Sequence, residues 1–270
     1  MKITNKIVLI YTVITLSIIM VSILIFALAG WYVLIFVGIC AVLIYLTGKH
    51  YINRITGQID KAYQSEKDFI RNASHELNNP LTAIQGECEI TLMKERSPEE
   101  YKGALVRIAS ETRRMVQLMK HLIFLSRGEK EMLDNAVEPM LLAEFILKEF
   151  VQGRVSFSID NFSLIINANP QLLKMALDNI IGNACKYSKD KQVCIELRGT
   201  VLSMIDYGIG IPKEELDKIY QPFYRGSNTR EFSGNGIGLS FAIRVLNFYG
   251  AKVTISSIVN KETRVAIDFQ

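Results

Sequence analysis

The sequence predicts an α+β chain of several domains: a two-helix transmembrane hairpin, a helical hairpin that dimerises into a four-helix bundle, and an α/β sandwich. Three observations carry this reading. Residues 7–29 and 31–47 are almost wholly apolar and free of charge. Residues 101–122 keep apolar positions at alternating spacings of four and three. Past residue 136, short strand-like stretches alternate with helical ones, the pattern of helices packed on a sheet. The predicted domains are a transmembrane hairpin at 1–48, a juxtamembrane helical connector at 49–66, a dimerising helical domain at 67–128 and the sandwich at 136–270.

With 270 residues, of which 49% are hydrophobic, the chain has room for one or two modest domains besides membrane segments. Its charge of +4 is mild, and the basic residues are scattered rather than gathered into a stripe interleaved with aromatics, so nucleic acid is not an expected partner. Cys40, Cys88, Cys185 and Cys194 show no CxxC or Cys/His ligand spacing and read as reduced core residues.

At the N-terminal end, the first apolar run exceeds the ~20 residues that a spanning helix requires, and the second sits at the short end of that range. Two helices turning near Gly30 and Trp31 fit best. A cleaved signal peptide is disfavoured, because the first run is too long and a second apolar segment follows at once. Lys2 and Lys6 precede the hairpin, and Lys49, His50 and Arg54 follow it. Positive flanks at both ends place both termini in the cytoplasm, in a two-pass arrangement, with Trp31 and Tyr32 as interfacial anchors outside. The connection is too short for a folded external domain, so sensing is expected in the membrane or through a membrane partner protein.

Residues 51–67 read as the helical connector. The helix that follows is expected from about residue 57 to 94, bent by Pro80. Its apolar residues Ile70, Ala73, Leu77, Leu81, Ile84 and Cys88 recur at helical spacing, and His75 lies off that stripe, facing solvent beside Glu76 and four residues before Asn79. Ser97-Pro98-Glu99-Glu100 is a helix start. The helix after it carries Tyr101, Leu105, Ile108, Thr112, Met115, Met119 and Leu122 as a seam. On periodicity alone, this hairpin equally fits one that only dimerises.

The linker to the sandwich is placed at residues 127–135. Residues 155–159, 163–167, 193–197 and 201–205 read as strands and 171–186 as a helix. Four patterns there suit a nucleotide. Asn179, Asn183 and Lys186 share a helical face, where amide oxygens and an ammonium suit a metal-bound polyphosphate. Asp206-Tyr207-Gly208-Ile209-Gly210 follows a strand; its aspartate can accept from an amino group such as that of adenine, while Gly208 and Gly210 let the backbone approach. Gly234-Asn235-Gly236-Ile237-Gly238-Leu239 precedes a helix at 241–248, a phosphate cradle that is neither a Walker A loop nor a dinucleotide fingerprint. Residues 213–233 form a polar segment long enough for a lid, with Phe223 as a hinge anchor and Arg225 within reach of the phosphates.

Taken in order, the H-box at His75, the N-box from Asn179 to Asn183, the DxGxG at Asp206, the F-box around Phe223 and the GxGxG at Gly234 resemble the sensor histidine kinases of bacterial two-component systems. The resemblance covers residues 64–270. The short loop between the apolar runs is similar to that of the intramembrane-sensing type.

The resemblance implies a GHKL (Bergerat) ATP-binding fold and a homodimer in the bacterial inner membrane. It further implies that His75 takes the γ-phosphoryl group of ATP with Glu76 as adjacent base, that Asn183 holds Mg²⁺, and that Asn179 and Lys186 lie close to the phosphates. Tyr187 is expected near the nucleotide and Asp206 on the adenine amino group. With no receiver domain in the chain, the onward acceptor is expected on a separate cognate response regulator. Glu76 with Asn79 matches the ExxN pattern through which relatives dephosphorylate their regulators. Asn78 stands where many relatives have arginine, and Asn169 where many have aspartate. The alternatives are a non-catalytic nucleotide-binding dimeric scaffold and an ATPase of the mismatch-repair or heat-shock type; the intact His75, Glu76, Asn183 and Asp206 disfavour the first, and the H-box disfavours the second.

Overall fold

The computed structural model describes residues 3–29, 31–126, 137–150 and 155–270. It divides into two compact units, Met1–Ile70 and Arg71–Gln270. Lys2, the turn at Gly30 and the expected linker at 127–135 lie outside the described residues.

In the first unit, α1 (Ile3–Ala29) carries the first apolar run and α2 (Trp31–Leu92) opens on the second. Both are long and apolar enough to cross a membrane. Their large side chains point outward, with Leu16, Leu24 and Phe36 each about two-thirds exposed or more; water would penalise such a surface and hydrocarbon does not. Hydroxyls of Thr15, Ser17 and Thr47 donate to carbonyls four residues back, so none needs a partner outside its helix. Gly48 lies against Tyr11: a Cβ at 48 would stand 2.4 Å from the Tyr11 ring.

The expected start of the His75 helix near residue 57 is corrected, because α2 is one helix that runs on through Pro80 to Leu92. The cause is local. Between the apolar run and His75 the only breakers are Gly48 and Gly57, each costing about 1 kcal/mol in a helix interior, too little to end one supported by good helix formers on both sides.

In the second unit, α3 (Pro98–Ser126) starts at a reciprocal cap: the Glu100 amide donates to Ser97 Oγ at 3.2 Å, and the Ser97 amide donates to the Glu100 carboxylate at 2.9 Å. Within one copy its expected seam is covered at some positions and open at others. The face buried within the chain runs through Ala104, Leu118, Leu122 and Phe124, while Leu105 and Met119 are 65% and 44% exposed. The helix therefore carries two apolar stripes, and its own chain covers one.

Beyond α3 come β1 (Glu138–Leu141), α4 (Leu142–Phe150), β2 (Val155–Ile159), β3 (Ile165–Ala168), α5 (Pro170–Tyr187), β4 (Val193–Arg198) and β5 (Val201–Asp206). Two short 3₁₀ turns lie between β5 and α6 (Gly238–Phe248), which is followed by β6 (Lys252–Ile258) and β7 (Glu262–Asp268). β1 and β3 pair antiparallel; the main sheet has the order β2-β4-β5-β7-β6, parallel only at β2-β4. Periodicity does not assign β1, α4, β6 or β7.

Helix α5 illustrates why these residues fold as they do. The Asn169 side chain caps it, accepting from the Leu172 amide at 3.0 Å, and Pro170 fills the first turn, where no amide donor is needed. Leu173, Ala176, Leu177, Ile180 and Ala184 then recur on one buried face. That face joins Phe241, Val245 and Leu246 of α6 and Ile195, Leu202, Met204 and Ile267 of the sheet in a single core. A second face of α5, beside the buried one, is left for other work.

Candidate nucleotide site

That outward face of α5 carries Asn179, Asn183 and Lys186 into a cavity of about 210 Å³. Tyr187, Asp206, Gly210, Arg225, Gly234, Gly236, Gly238 and Leu239 line the same cavity, so the four patterns converge on one place. Met204, Ile211, Ile255 and Val265 give it an apolar wall from the sheet side. His75, Glu76, Asn79 and Gly208 are not among its lining residues. On α2, His75 and Asn79 are exposed and Glu76 is half-buried.

Asp206 ends β5 and is only 6% exposed. Burial pushes its carboxyl up to about 6, although the Gly208 amide donating to Oδ1 at 3.0 Å works the other way. Gly208 itself is a packing residue: a Cβ there would stand 2.0 Å from the Tyr187 carbonyl oxygen, and the Ile209 amide donates to that same oxygen at 3.2 Å. The absent side chain is what lets the end of β5 pass beneath the end of α5. Gly236 has φ +71° and would place a Cβ 2.6 Å from the Tyr224 carbonyl, so that loop position tolerates no side chain.

Of the two cations at the site, Lys186 ties the 213–233 segment to α5 and Arg225 braces that segment internally. Lys186 Nζ donates to the Ser233 carbonyl and lies 4.8 Å from the centre of the Tyr187 ring. Arg225 donates to the carbonyls of Thr229, at 2.8 Å, and of Phe232. Burial holds Lys186 below the usual lysine range, with the Arg225 and Arg114 charges acting in the same direction. Burial also raises the Tyr187 hydroxyl, and the Phe232 ring meets the Tyr187 ring edge-on at 5.0 Å. Phe223, at φ +67°, donates its amide to the Gly236 carbonyl at 2.9 Å, joining the lid to the glycine loop.

Sequence reasoning misses several residues here. Thr263 on β7 lies across from Asp206 in the sheet and lines the cavity, while Asn228 donates to the Gly210 carbonyl at 2.9 Å. Strand alternation gives Thr263 a face of β7, but only pairing with β5 brings it beside Asp206. His121 on α3 approaches Asn179, with Nε2 3.3 Å from Asn179 Nδ2, and its ring packs on Phe241 with centres 4.3 Å apart. Nothing in local spacing signals that contact, which joins residues 58 positions apart.

A mixed sheet backed by helices, with a cavity walled by an asparagine-bearing helix, a strand-end aspartate and a glycine loop, defines an ATP-binding module carried behind a helical domain with an exposed histidine. Residues 168–270 match the family described as histidine kinase-, DNA gyrase B- and HSP90-like ATPase, and residues 65–131 match the His Kinase A (phospho-acceptor) domain. With these two modules in this order, the chain is similar to the bacterial sensor histidine kinases.

It is 28% identical over 232 residues to the signal transduction histidine-protein kinase ArlS of Staphylococcus aureus strain USA300, and equally to ArlS of strain COL; each alignment covers 80% of this chain. The chain spans about half, 51%, of the length of those relatives. The fold is that of the Acinetobacter baumannii histidine kinase AdeS, with TM-score 0.53 and 21% identity over 72% of this chain and 95% of that one. Full-length ShkA, solved in complex with AMPPNP, gives TM-score 0.54 and 16% identity over 74% of this chain and 45% of that one.

Proposed function

We propose that this chain is a membrane sensor kinase that moves the γ-phosphoryl group of ATP to an imidazole nitrogen of His75 and then to an aspartate on a separate response regulator. The observation that carries this reading is the convergence of Asn179, Asn183, Lys186, Asp206 and the glycine loop on one cavity, in a chain whose His75 is exposed. In the first step a P–N bond forms to His75, the bond from the γ-phosphorus to the ADP oxygen breaks, and the ring proton passes to Glu76. A neutral imidazole is a competent nucleophile near neutrality, and the adjacent carboxylate orients it. His75 does not line the cavity, so transfer requires the ATP site to be brought to it, in the same copy or between copies.

Asp206 would accept from the adenine amino group, Lys186 and Arg225 would release their lid carbonyls to meet phosphate, and the glycine loop would donate its amides. These roles amount to positioning and charge neutralisation. The neutral amide of Asn183 suits Mg²⁺, which would offset phosphate charge there. No group of three or more His, Cys, Asp and Glu able to hold a metal occurs among the described residues. The set therefore fits an ion that arrives with phosphate and water as its other ligands.

The apolar helices support a two-pass position in the membrane with both termini cytoplasmic, sensing there or through a membrane partner. The uncovered stripe of α3 supports a homodimer, and Glu76 with Asn79 supports phosphatase activity toward the regulator. The domain limits that go with this reading are 1–48, 49–66, 67–128 and 136–270.

The test is incubation of the full chain in detergent with γ-labelled ATP and Mg²⁺, beside His75→Gln and Asn183→Ala. Acid-labile label on the wild type, lost in both variants, is the expected result. Nucleotide binding without label on the wild type would make the chain a scaffold instead.

A further inference from the structure

The last two turns of α3 are built onto the ATP-binding unit at the root of the nucleotide site. Phe124 meets Phe241 edge-on with ring centres 5.1 Å apart, and Arg244 of α6 donates to the Leu125 carbonyl at 2.6 Å. Between these contacts the His121 ring lies on the Phe241 ring, tilted by 33°, with Nε2 aimed at the Asn179 amide nitrogen.

A primary amide carries two N–H donors on one atom and an acceptor oxygen on the other, and its two ends differ little in size, so its partners decide which way it points. Asn179 Nδ2 donates to the Met175 carbonyl at 2.7 Å, and its other proton faces His121 Nε2 at 3.3 Å. Both donors are thus committed on the side of α3 and the previous turn of α5. The oxygen is turned the opposite way, onto the first residue of α6: a Cβ at Gly238 would stand 2.3 Å from Asn179 Oδ1.

We infer that His121 is a positioning residue that fixes the Asn179 amide with its oxygen, not its nitrogen, toward the nucleotide. The assignment rests on the cavity being the ATP site, and it sharpens the role of Asn179. An oxygen aimed at the glycine loop repels phosphate oxygens and attracts a cation or the water bound to it. Asn179 therefore works on the metal side of the metal–nucleotide pair and not as a donor to phosphate.

The role requires an imidazole with a free lone pair on Nε2. Stacked on Phe241, the ring accepts from the Asn179 amide through that lone pair. Among the charged groups on the elements around it are Arg114 and Lys120 of α3, Lys174, Asp178 and Lys186 of α5, and Arg244 of α6. Lys174 pairs with Asp178 and with Glu149, each at 3.4 Å, and Arg244 is bound to Leu125.

The experiment measures affinity of the full chain in detergent for a fluorescent non-hydrolysable ATP analogue, once with Mg²⁺ and once with a chelator. His121→Phe keeps a ring on Phe241 but offers no acceptor, and His121→Gln restores a carbonyl oxygen. Expected is a loss of about three- to tenfold for His121→Phe with Mg²⁺, the range of one hydrogen bond, with little change under chelator and recovery in His121→Gln. An unchanged or tighter Mg²⁺ complex in His121→Phe, an equal loss with and without Mg²⁺, or failure of His121→Gln to recover would each overturn it. No binding by the wild type would instead sink the functional reading on which it stands.

Discussion

Asp206 shows how a single residue can set function against stability. Its folded-state pKa of about 6 lies above the ordinary 3.8, so folding favours the protonated acid. Its contribution is most favourable below about pH 4 and is lost as pH rises through 6, leaving a cost on the order of 3 kcal/mol at neutral pH. Asp206→Asn should therefore melt higher than wild type at pH 7.5, with the gap closing as pH falls toward 4, while nucleotide affinity drops tenfold or more. A melting series across that pH range checks the first half, and a variant that melts lower at pH 7.5 would refute it. Asp206 is legible in the sequence because an aspartate at a strand end before two glycines is a local pattern. Thr263 and His121 are not, because each reaches the site through tertiary pairing: one across the sheet, the other from a helix in the preceding domain.

At the scale of elements, α5 is the most readable part of the chain, since cap, proline and apolar spacing all agree before any tertiary contact is made. Asn169 occupies the cap, a place that an aspartate would fill equally well. Asn169→Ala should cost about 1 kcal/mol of unfolding free energy, and Asn169→Asp less than about 0.5 kcal/mol, because a carboxylate also caps a helix start. Denaturant titration of the two variants separates capping from any role in nucleotide binding; a neutral Asn169→Ala would show the cap to be idle. β1 and α4 are harder to read. Residues 139–147 form an apolar run broken only by Glu144, and a short run of that kind suits strand and helix alike. The length of α2 escapes local reading for another reason: two isolated glycines are weak punctuation beside long stretches of good helix formers.

For the whole molecule, the uncovered stripe of α3 has the larger consequence. Leu105, Val116, Met119 and Ile123 are each more than 40% exposed, a contiguous apolar strip that a single copy leaves in water. A second copy is the economical cover. Leu105→Glu combined with Ile123→Glu should convert the full chain from dimer to monomer by light scattering, while each copy still binds nucleotide; a dimer that survives both changes would place the interface elsewhere. The two-layer organisation of the nucleotide domain was legible because strands and helices alternate there, whereas which α3 stripe stays open depends on packing at Phe241 that no heptad count contains.

The two working faces of α5 also set how much sequence drift the molecule can absorb. Along its length only Gln171, Asp178 and Gly182 are exposed; Leu173, Ala176, Leu177 and Ile181 hold the core, and Asn179, Asn183 and Lys186 line the cavity. A random change in α5 is therefore seldom silent. It is penalised through lost packing on one side or a reshaped cavity on the other.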